Sequence, residues 1–550
     1  FWLKHQVSTG HQQLHPSRAA ALCMEAGGRT QVVAFLRPLR CGGSRDAVCC
    51  SAATTAAIAP AIVPAIAPAA ARSLGWCRLR RLRLQPIALG LAAALVVSSR
   101  GGGRSARRFV GHRHTAATVM AASPSAAAPT GRPLPQQVLP APLCALDGLA
   151  TGAPPEDVFT WDTVTKRMPK ILDSVMDSLP ASLAKEESLQ EGVRALQAEM
   201  RDGAPLRPLE APGARVGADA WNEHLAELLA RGENWHSAPW WVVENYMYKR
   251  LLEELARCGD EAYDPFEPQK RSALAAATGA LDASLRPLLD LIAVAEASPP
   301  EDAGRRAALE AALVRSLWGN QADLSLSAGK VESSSGPGCL LTDHITTALD
   351  LLQGAEGRPL VIVLDNHGLE VLCDFVLVDA LLRLTGVSSV TLHVKDAPVF
   401  VSDVTEDDVP GVLDWLREHE APLAERLSAA LAADRLRVLA SPFYTSARAF
   451  WELPPGDLRA AYDSAAVVVL KGDANYRRLL GDLHWPYDTD FAAYVQSFWP
   501  SSGLVALRTM KSGVALGVPA AAQAEAMRAH PEDWLTCGVY GQVLASSSGS

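Results

Sequence analysis

Residues 361–370, VIVLDNHGLE, carry a branched apolar run straight into Asp365, Asn366, His367 and Gly368. Asp403 follows a second apolar run, VTLHVK, that ends at Lys395. Two carboxylates and an amide carbonyl are hard oxygen donors that suit an octahedral Mg²⁺ or Mn²⁺ with waters completing the shell. Further along, Lys471, Arg477, Arg508 and Lys511 offer the cationic donors that a phosphate group needs, and Asp473, Asn475 and Thr509 stand among them. A metal beside an anion-binding rim is equipment for phosphoryl chemistry. Each part alone has a plainer reading. Asp-Asn at a strand end makes a turn or a helix cap, Lys471 and Arg477 serve as solvated charges, and Asp403 in SDVTEDD belongs to a helix N-terminus. Their convergence is what favours chemistry.

The elements that bring them together follow from hydrophobic periodicity. From Asp157 to about Leu324 apolar residues recur every three or four positions, as in Val164, Met168, Ile171, Leu172, Val175 and Leu179, which predicts a helical layer. A polar loop, SAGKVESSSGPG at 327–338, separates it from a second pattern. There five short apolar runs, RPLVIVLD, VTLHVK, LRVLAS, AAVVVLKGD and GLVALRTM, alternate with helical stretches, the longest a single helix through DDVPGVLDWLREHEAPLAERLSAALAADR. The expected fold is α/β: a mainly parallel, Rossmann-like sheet flanked by helices in three α/β/α layers, preceded by an all-helical N-terminal subdomain. Ligands of such sheets bind outside the carboxyl ends of the strands, and four of the five runs exit there into the residues named above.

Charge divides the chain in two. Residues 1–150 hold 17 Lys+Arg against 3 Asp+Glu, a net of +14, which leaves −23 of the overall −9 to the other 400 residues. The first part is rich in Ala, Pro, Ser and Gly and reads as mostly disordered. Within it a basic cluster precedes about 13 mainly apolar residues, Ile87 to Ser99, the length of a signal-sequence core and short for a membrane span. Two readings stand: an organelle presequence of plastid-like kind, or an upstream translation of a cytoplasmic protein. Domains are expected at 1–150 (basic targeting region), 155–326 (helical) and 339–545 (α/β). The ten cysteines form no CxxC pair, which excludes a zinc ribbon or disulfide scaffold. The acidic balance excludes a nucleic-acid partner, and no segment after residue 150 is apolar enough to span a bilayer. PWWVVENYMYKR, at 239–250, has its aromatics at helix spacing and reads as a buried helix face.

Four motifs, DNHGLEVLCDFVLVDALL, HVKDAPVFVSDVTEDDV, LKGDANYRRLLGD and LRTMKSG, resemble in order and spacing the damage-control metal-dependent phosphatase family, in its RTxK subfamily, also described as acidic-residue methyltransferases. FTWDTVTKRMPKIL, WHSAPWWVVENYMYKRL, YDPFEPQK and SLWGNQADLSLS are similar to that subfamily's helical segments, so the resemblance spans about 157–545. It implies that Asp365, Asn366 and Asp403 bind a divalent metal (Mn²⁺, Ni²⁺, Co²⁺ or Mg²⁺). It implies substrate contacts from Glu370, Asp473, Asn475, Tyr476 and Arg477, joined by Arg508 and Thr509 of the RTxK strand end, and a phosphate contact from Lys511. The activity implied is hydrolysis of small phosphomonoesters such as fructose 1-phosphate or fructose 6-phosphate. The family usually has a small residue where His367 stands, which leaves that ring a ligand, a proton donor or a bulky neighbour.

Two other classes compete. A methyltransferase using S-adenosylmethionine needs a Gly-rich turn after its first strand, and DNHGLE offers one glycine among metal-ligand types. A metabolite-binding protein without turnover would keep the fold, but here the metal and phosphate residues are intact.

Overall fold

The computed structural model describes residues 139–144, 159–211, 213, 215–300, 302–319, 339–499 and 502–548. The basic segment before residue 139, with its targeting reading, and the 327–338 loop lie outside them. Residues 139–144, within the stretch read as mostly disordered, lie against the fold: Trp240 donates its backbone N–H to Leu143 (2.7 Å), and Leu143 donates to Asp482 (3.2 Å).

Seven strands form one sheet: β1 Leu340–Asp343, β2 Pro359–Val363, β3 Ser389–Lys395, β4 Leu436–Ser441, β5 Val467–Lys471, β6 Gly503–Thr509 and β7 Gly541–Ser546. Their order is β1-β7-β6-β5-β2-β3-β4. All neighbours are parallel except β6 and β7, so the expected mainly parallel sheet is present with a reversed edge of two further strands. Sequence reading missed both: LLTD is four residues long, and GQVLAS opens with Gly and Gln. The chain leaves β2 toward β3 on one side and leaves β5 toward β6 on the other. The crevice outside the carboxyl ends of β2 and β5 is therefore the sheet's switch point, where ligands bind in open α/β folds.

The run VIV of β2 and VVVL of β5 are apolar at every position because both faces are covered. Val361, Val363, Val468 and Leu470 pack with helices Met168–Ser178, Glu187–Asp202 and Trp240–Arg257. Leu360, Ile362, Val467 and Val469 pack on the other face with Arg286–Glu296, Ala303–Leu317 and Leu369–Leu384. The helical stretch thus contributes to both outer layers and shares its cores with the sheet. Leu369–Leu384 is buried around nearly its whole circumference, as LEVLCDFVLVDALL requires. The long helix expected after β3 is broken into Asp408–His419 and Ala421–Ala432. Pro422 sits in the first turn of the second piece, where its ring and missing N–H are tolerated; an unbroken helix would place them in its interior. Among the described residues no helix is long and apolar enough to cross a membrane.

Candidate active site

Asp365 and Asn366 follow β2 directly, and a return of the chain after β3 sets Asp403 beside them. Val404 donates its backbone N–H to Asp365 O (2.9 Å), His367 donates to Ser402 O (2.6 Å), and Asn366 pairs with Asp403 in an antiparallel bridge. Lys395 closes the loop from below, with its backbone N–H on Val404 O (3.0 Å). Phe400, in the same loop, takes φ +68°, a sterically costly conformation for a bulky residue. Its ring stacks on Trp241 and tilts against Tyr248, 5.9 and 5.2 Å between centroids, anchoring the loop to the Trp240–Arg257 helix.

Three carboxylates crowd this crevice. Asp365, Asp403 and Glu370 are each 2–3 % exposed. Burial first, then the charges of Asp403 and Glu370, pushes the Asp365 carboxyl well above the usual carboxylate range; Lys395 and Lys511 act in the other direction. Burial likewise raises Asp403, against the pull of Lys395, whose Nζ lies 2.7 Å from Asp403 Oδ2 as an ion pair outside hydrogen-bond alignment. Asp365 Oδ1 has no hydrogen-bond partner. A buried, unsatisfied oxygen among like charges is destabilising by itself, and a divalent cation is the group that relieves it. The donor set fits a hard metal ion.

Asn366 enters this cluster by its other end. Its Nδ2 donates to Asp365 Oδ2 (2.8 Å) and Glu370 Oε2 (2.9 Å), while Oδ1 accepts from Ser402 Oγ (2.6 Å). Arranged so, the amide gives hydrogen bonds to two carboxylates rather than adding an oxygen to them. A ring-like flip of the amide exchanges the two ends, since Ser402 can both donate and accept.

From the β5 side the backbone closes in. Gly472 opens the helix Gly472–Leu480 at φ +78°, and a Cβ there would overlap the Asp365 carboxylate. Only glycine permits both the conformation and the approach. Asn475 Nδ2 ties the same turn to the end of β2, donating to Leu364 O (3.0 Å) and Lys471 O (2.8 Å). The helix that begins at Leu369 enters through Gly368 at φ +75°. Two helix N-termini with open N–H groups therefore face the crevice from β2 and β5.

The cationic residues named from the sequence behave differently from one another. Lys471 points inward: its Nζ donates to Ser316 O (2.6 Å) and lies 3.2 Å from Asp374 Oδ1 and 3.6 Å from Glu370 Oε1. Arg508, fully buried, gives Nε to Asp473 Oδ1 (2.7 Å) and NH2 to Ser512 Oγ (2.9 Å), and covers the Tyr476 ring at 4.2 Å. Arg477 forms a two-pronged pair with Asp482 (2.9 and 3.0 Å), reaches Glu244 Oε2 (2.6 Å), and lies 3.9 Å from the Trp240 ring centre. These three are committed to protein partners, Lys471 to Asp374 and Glu370, Arg477 to Asp482 and Glu244, and Arg508 to Asp473, pairings that sequence spacing does not reveal. Thr509 Oγ1 donates to Leu317 O (3.2 Å), and the Tyr476 hydroxyl bridges Leu516. Lys511 is half-buried, and its charge bears on Asp365. Its backbone N–H approaches Asp473 Oδ1 (3.4 Å), which also takes Ser512 Oγ (3.2 Å), so Asp473 organises the RTMK turn.

His367 sits at a seam. Burial lowers its pKa to about 4, and the charges that bear on it next are Asp408 and Lys270. Lys270, itself buried, bridges Asp264 (2.9 Å) and Asp408 (2.7 Å), linking the Glu267–Ala276 helix to the start of Asp408–His419. The ring stands between this junction and the crevice, and its buried Nδ1 has no hydrogen-bond partner. Sequence reading placed Lys395 only among the polar strand exits and missed Ser402, Gly472 and Asp374 as parts of the site. Gly472, at a strand-to-helix turn, carried the one usable signal.

A sheet of this order with carboxylates gathered at its switch point defines an α/β protein built to hold a small anionic ligand with a cation. The family model described as Damage-control phosphatase ARMT1-like domain matches residues 163–527. The chain is 32 % identical over 430 residues to Damage-control phosphatase ARMT1 of Rattus norvegicus, covering 70 % of this chain and 95 % of that one. It is 30 % identical over 456 residues to the Xenopus laevis protein of that name (74 % and 99 % covered) and 29 % over 428 residues to that of Homo sapiens (70 % and 95 %). A crystal structure of a DUF89 family protein from Pyrococcus horikoshii is similar at 12 % identity and TM-score 0.34, over 64 % of this chain and 91 % of that one, too distant to carry an argument. The chain belongs to the damage-control phosphatase family, a family of phosphatases.

Proposed function

We propose that this chain hydrolyses small phosphomonoesters, with sugar phosphates such as fructose 1-phosphate and fructose 6-phosphate as the substrate class. Asp365 and Asp403 hold the divalent metal, with the Asn366 amide beside them. The observation that carries this reading is the buried, partnerless Oδ1 of Asp365 set among two further carboxylates at the switch point. When bound, Mg²⁺, Mn²⁺, Co²⁺ or Ni²⁺ supplies polarisation of a phosphoryl oxygen and a water of lowered pKa. The chain's own residues do the rest. The helix N-termini after Gly368 and Lys471 offer N–H groups to phosphate oxygens, and Lys511 adds a positive charge where negative charge grows. Glu370 and Asp473, anchored by Lys471 and Arg508, are placed to accept sugar hydroxyls, where a missing hydrogen bond is costly and so selective. A carboxyl methyltransferase has no use for crowded carboxylates at this position.

The test is phosphate release by the full chain across a panel of sugar phosphates with several divalent metals, beside calorimetry with S-adenosylmethionine. Metal-dependent release from one sugar phosphate class is expected. Tight binding of S-adenosylmethionine with no phosphate released under any metal would reverse the ranking.

A further inference from the structure

Past residue 527, where the family match ends, a second group of metal-ligating side chains gathers. One ligand atom each from His530, Asp533 and Cys537 lies within 4.8 Å of the others, all three half-buried. His530 Nδ1 and Asp533 Oδ1 are 3.7 Å apart. Around a tetrahedral Zn²⁺, bond lengths of about 2.0–2.3 Å place neighbouring ligand atoms roughly 3.3–3.8 Å from one another. That edge already has the required length. The sulfur, within 4.8 Å of the other ligand atoms, has at most about 1 Å to close.

The loop is built around the sulfur. Thr536 and Cys537 both donate backbone N–H to Asp533 O (2.7 Å each), which curls the chain back, and Gly538 at φ +75° completes the turn. The backbone amides of Val539 and Tyr540, together with that of Cys537 itself, favour the thiolate. Backbone amides thus surround a sulfur that has the Asp533 carboxylate and the His530 ring within 4.8 Å. A coordinating divalent ion deprotonates a thiol outright and answers both charges.

We propose that His530, Asp533 and Cys537 form a second divalent-cation site that takes Zn²⁺ through nitrogen, oxygen and thiolate sulfur, leaving a fourth position to water. The proton of Cys537 goes to solvent on binding. The site differs in chemistry from the oxygen-only crevice at β2 and β5, because a thiolate selects borderline-soft ions over Mg²⁺. It also has a mechanical link to that crevice. Gly538 donates to Met510 O (3.1 Å) and Met510 donates to Tyr540 O (2.9 Å), so the loop carrying the site clasps the residue just before Lys511. Trp534 and Met510 share one small buried cluster. Zinc at this loop fixes the base of the RTMK turn.

Cobalt(II) titration of the reduced full chain tests the proposal, because thiolate ligation gives an intense sulfur-to-cobalt charge-transfer band that oxygen ligation does not. Expected are one such band per chain, its loss on adding Zn²⁺ but not Mg²⁺, and its absence in Cys537→Ser. Asp533→Asn, which keeps the thiol, should weaken cobalt binding roughly tenfold or more. No thiolate band in the folded wild-type chain, or a band that survives Cys537→Ser, overturns the proposal.

Discussion

Gly472 lies against Asp365 so closely that a methyl group on its Cα would occupy the carboxylate's place. The two residues come from neighbouring parallel strands, β2 and β5, at the point where the chain's connections diverge. Gly472→Ala should therefore displace the carboxylate and strain a backbone at φ +78°. The expected cost is about 1–3 kcal/mol of stability and roughly a hundredfold in kcat/KM on an aryl phosphate. Denaturant unfolding alongside metal-dependent turnover measures both; an alanine variant with wild-type kcat/KM would show that the turn does not position Asp365.

Lys395 is the counter-charge that keeps Asp403 tolerable at 2 % exposure. Lys395→Met leaves a buried carboxylate without its cation, which typically costs about 3–5 kcal/mol. Saturating Mn²⁺ should restore part of that loss by supplying charge to the same carboxylate. Melting curves with and without metal check this, and equal Mn²⁺ stabilisation in both proteins would mean that Asp403 does not face the ion.

Arg477 separates a structural role from a substrate-binding one. Its guanidinium is filled by Asp482 and Glu244 and packed on Trp240. Arg477→Met should lower stability by about 3–5 kcal/mol, because buried Asp482 and half-buried Glu244 lose their partner. A variant that keeps full stability and only raises KM would place Arg477 at the substrate after all.

The pH dependence has a definite sign. Burial lifts the Asp374 carboxyl from 3.8 to about 7, and Asp365 is raised in the same direction. Between those two values the folded, metal-free protein holds protons that the unfolded chain has lost. The share of stability due to these two carboxyls therefore falls as pH rises from about 4 to about 7, whereas buried His367 and His393, each lowered to about 4, contribute a share that rises with pH. Asp374→Asn should flatten that slope in urea unfolding with chelator present. Divalent metal, which needs ionised ligands, should bind more tightly as pH rises across the same range. An Asp374→Asn protein whose stability changes between pH 4 and 7 just as the wild type's does would contradict the burial argument.

Much of this was legible in the sequence because two periodicities are loud. The all-apolar runs VIVL and VVVL predict a doubly covered sheet, and DNHGLE and SDVTEDD stand at its exits. β1 and β7 were silent, since LLTD and GQVLAS earn their pairing from tertiary neighbours rather than from pattern. Lys471 and Arg508 show the other gap. A strand-end cation announces its charge, yet whether it meets solvent or an acid such as Asp374 or Asp473 depends on which helix packs behind it.

The central claim is that Asp365 holds the metal on which hydrolysis depends. Its most direct test is Mn²⁺-dependent turnover of an aryl phosphate by Asp365→Ala, with circular dichroism to verify the fold. A folded protein with activity reduced to background at every Mn²⁺ concentration is expected. A folded Asp365→Ala protein that keeps wild-type, Mn²⁺-dependent turnover would contradict it.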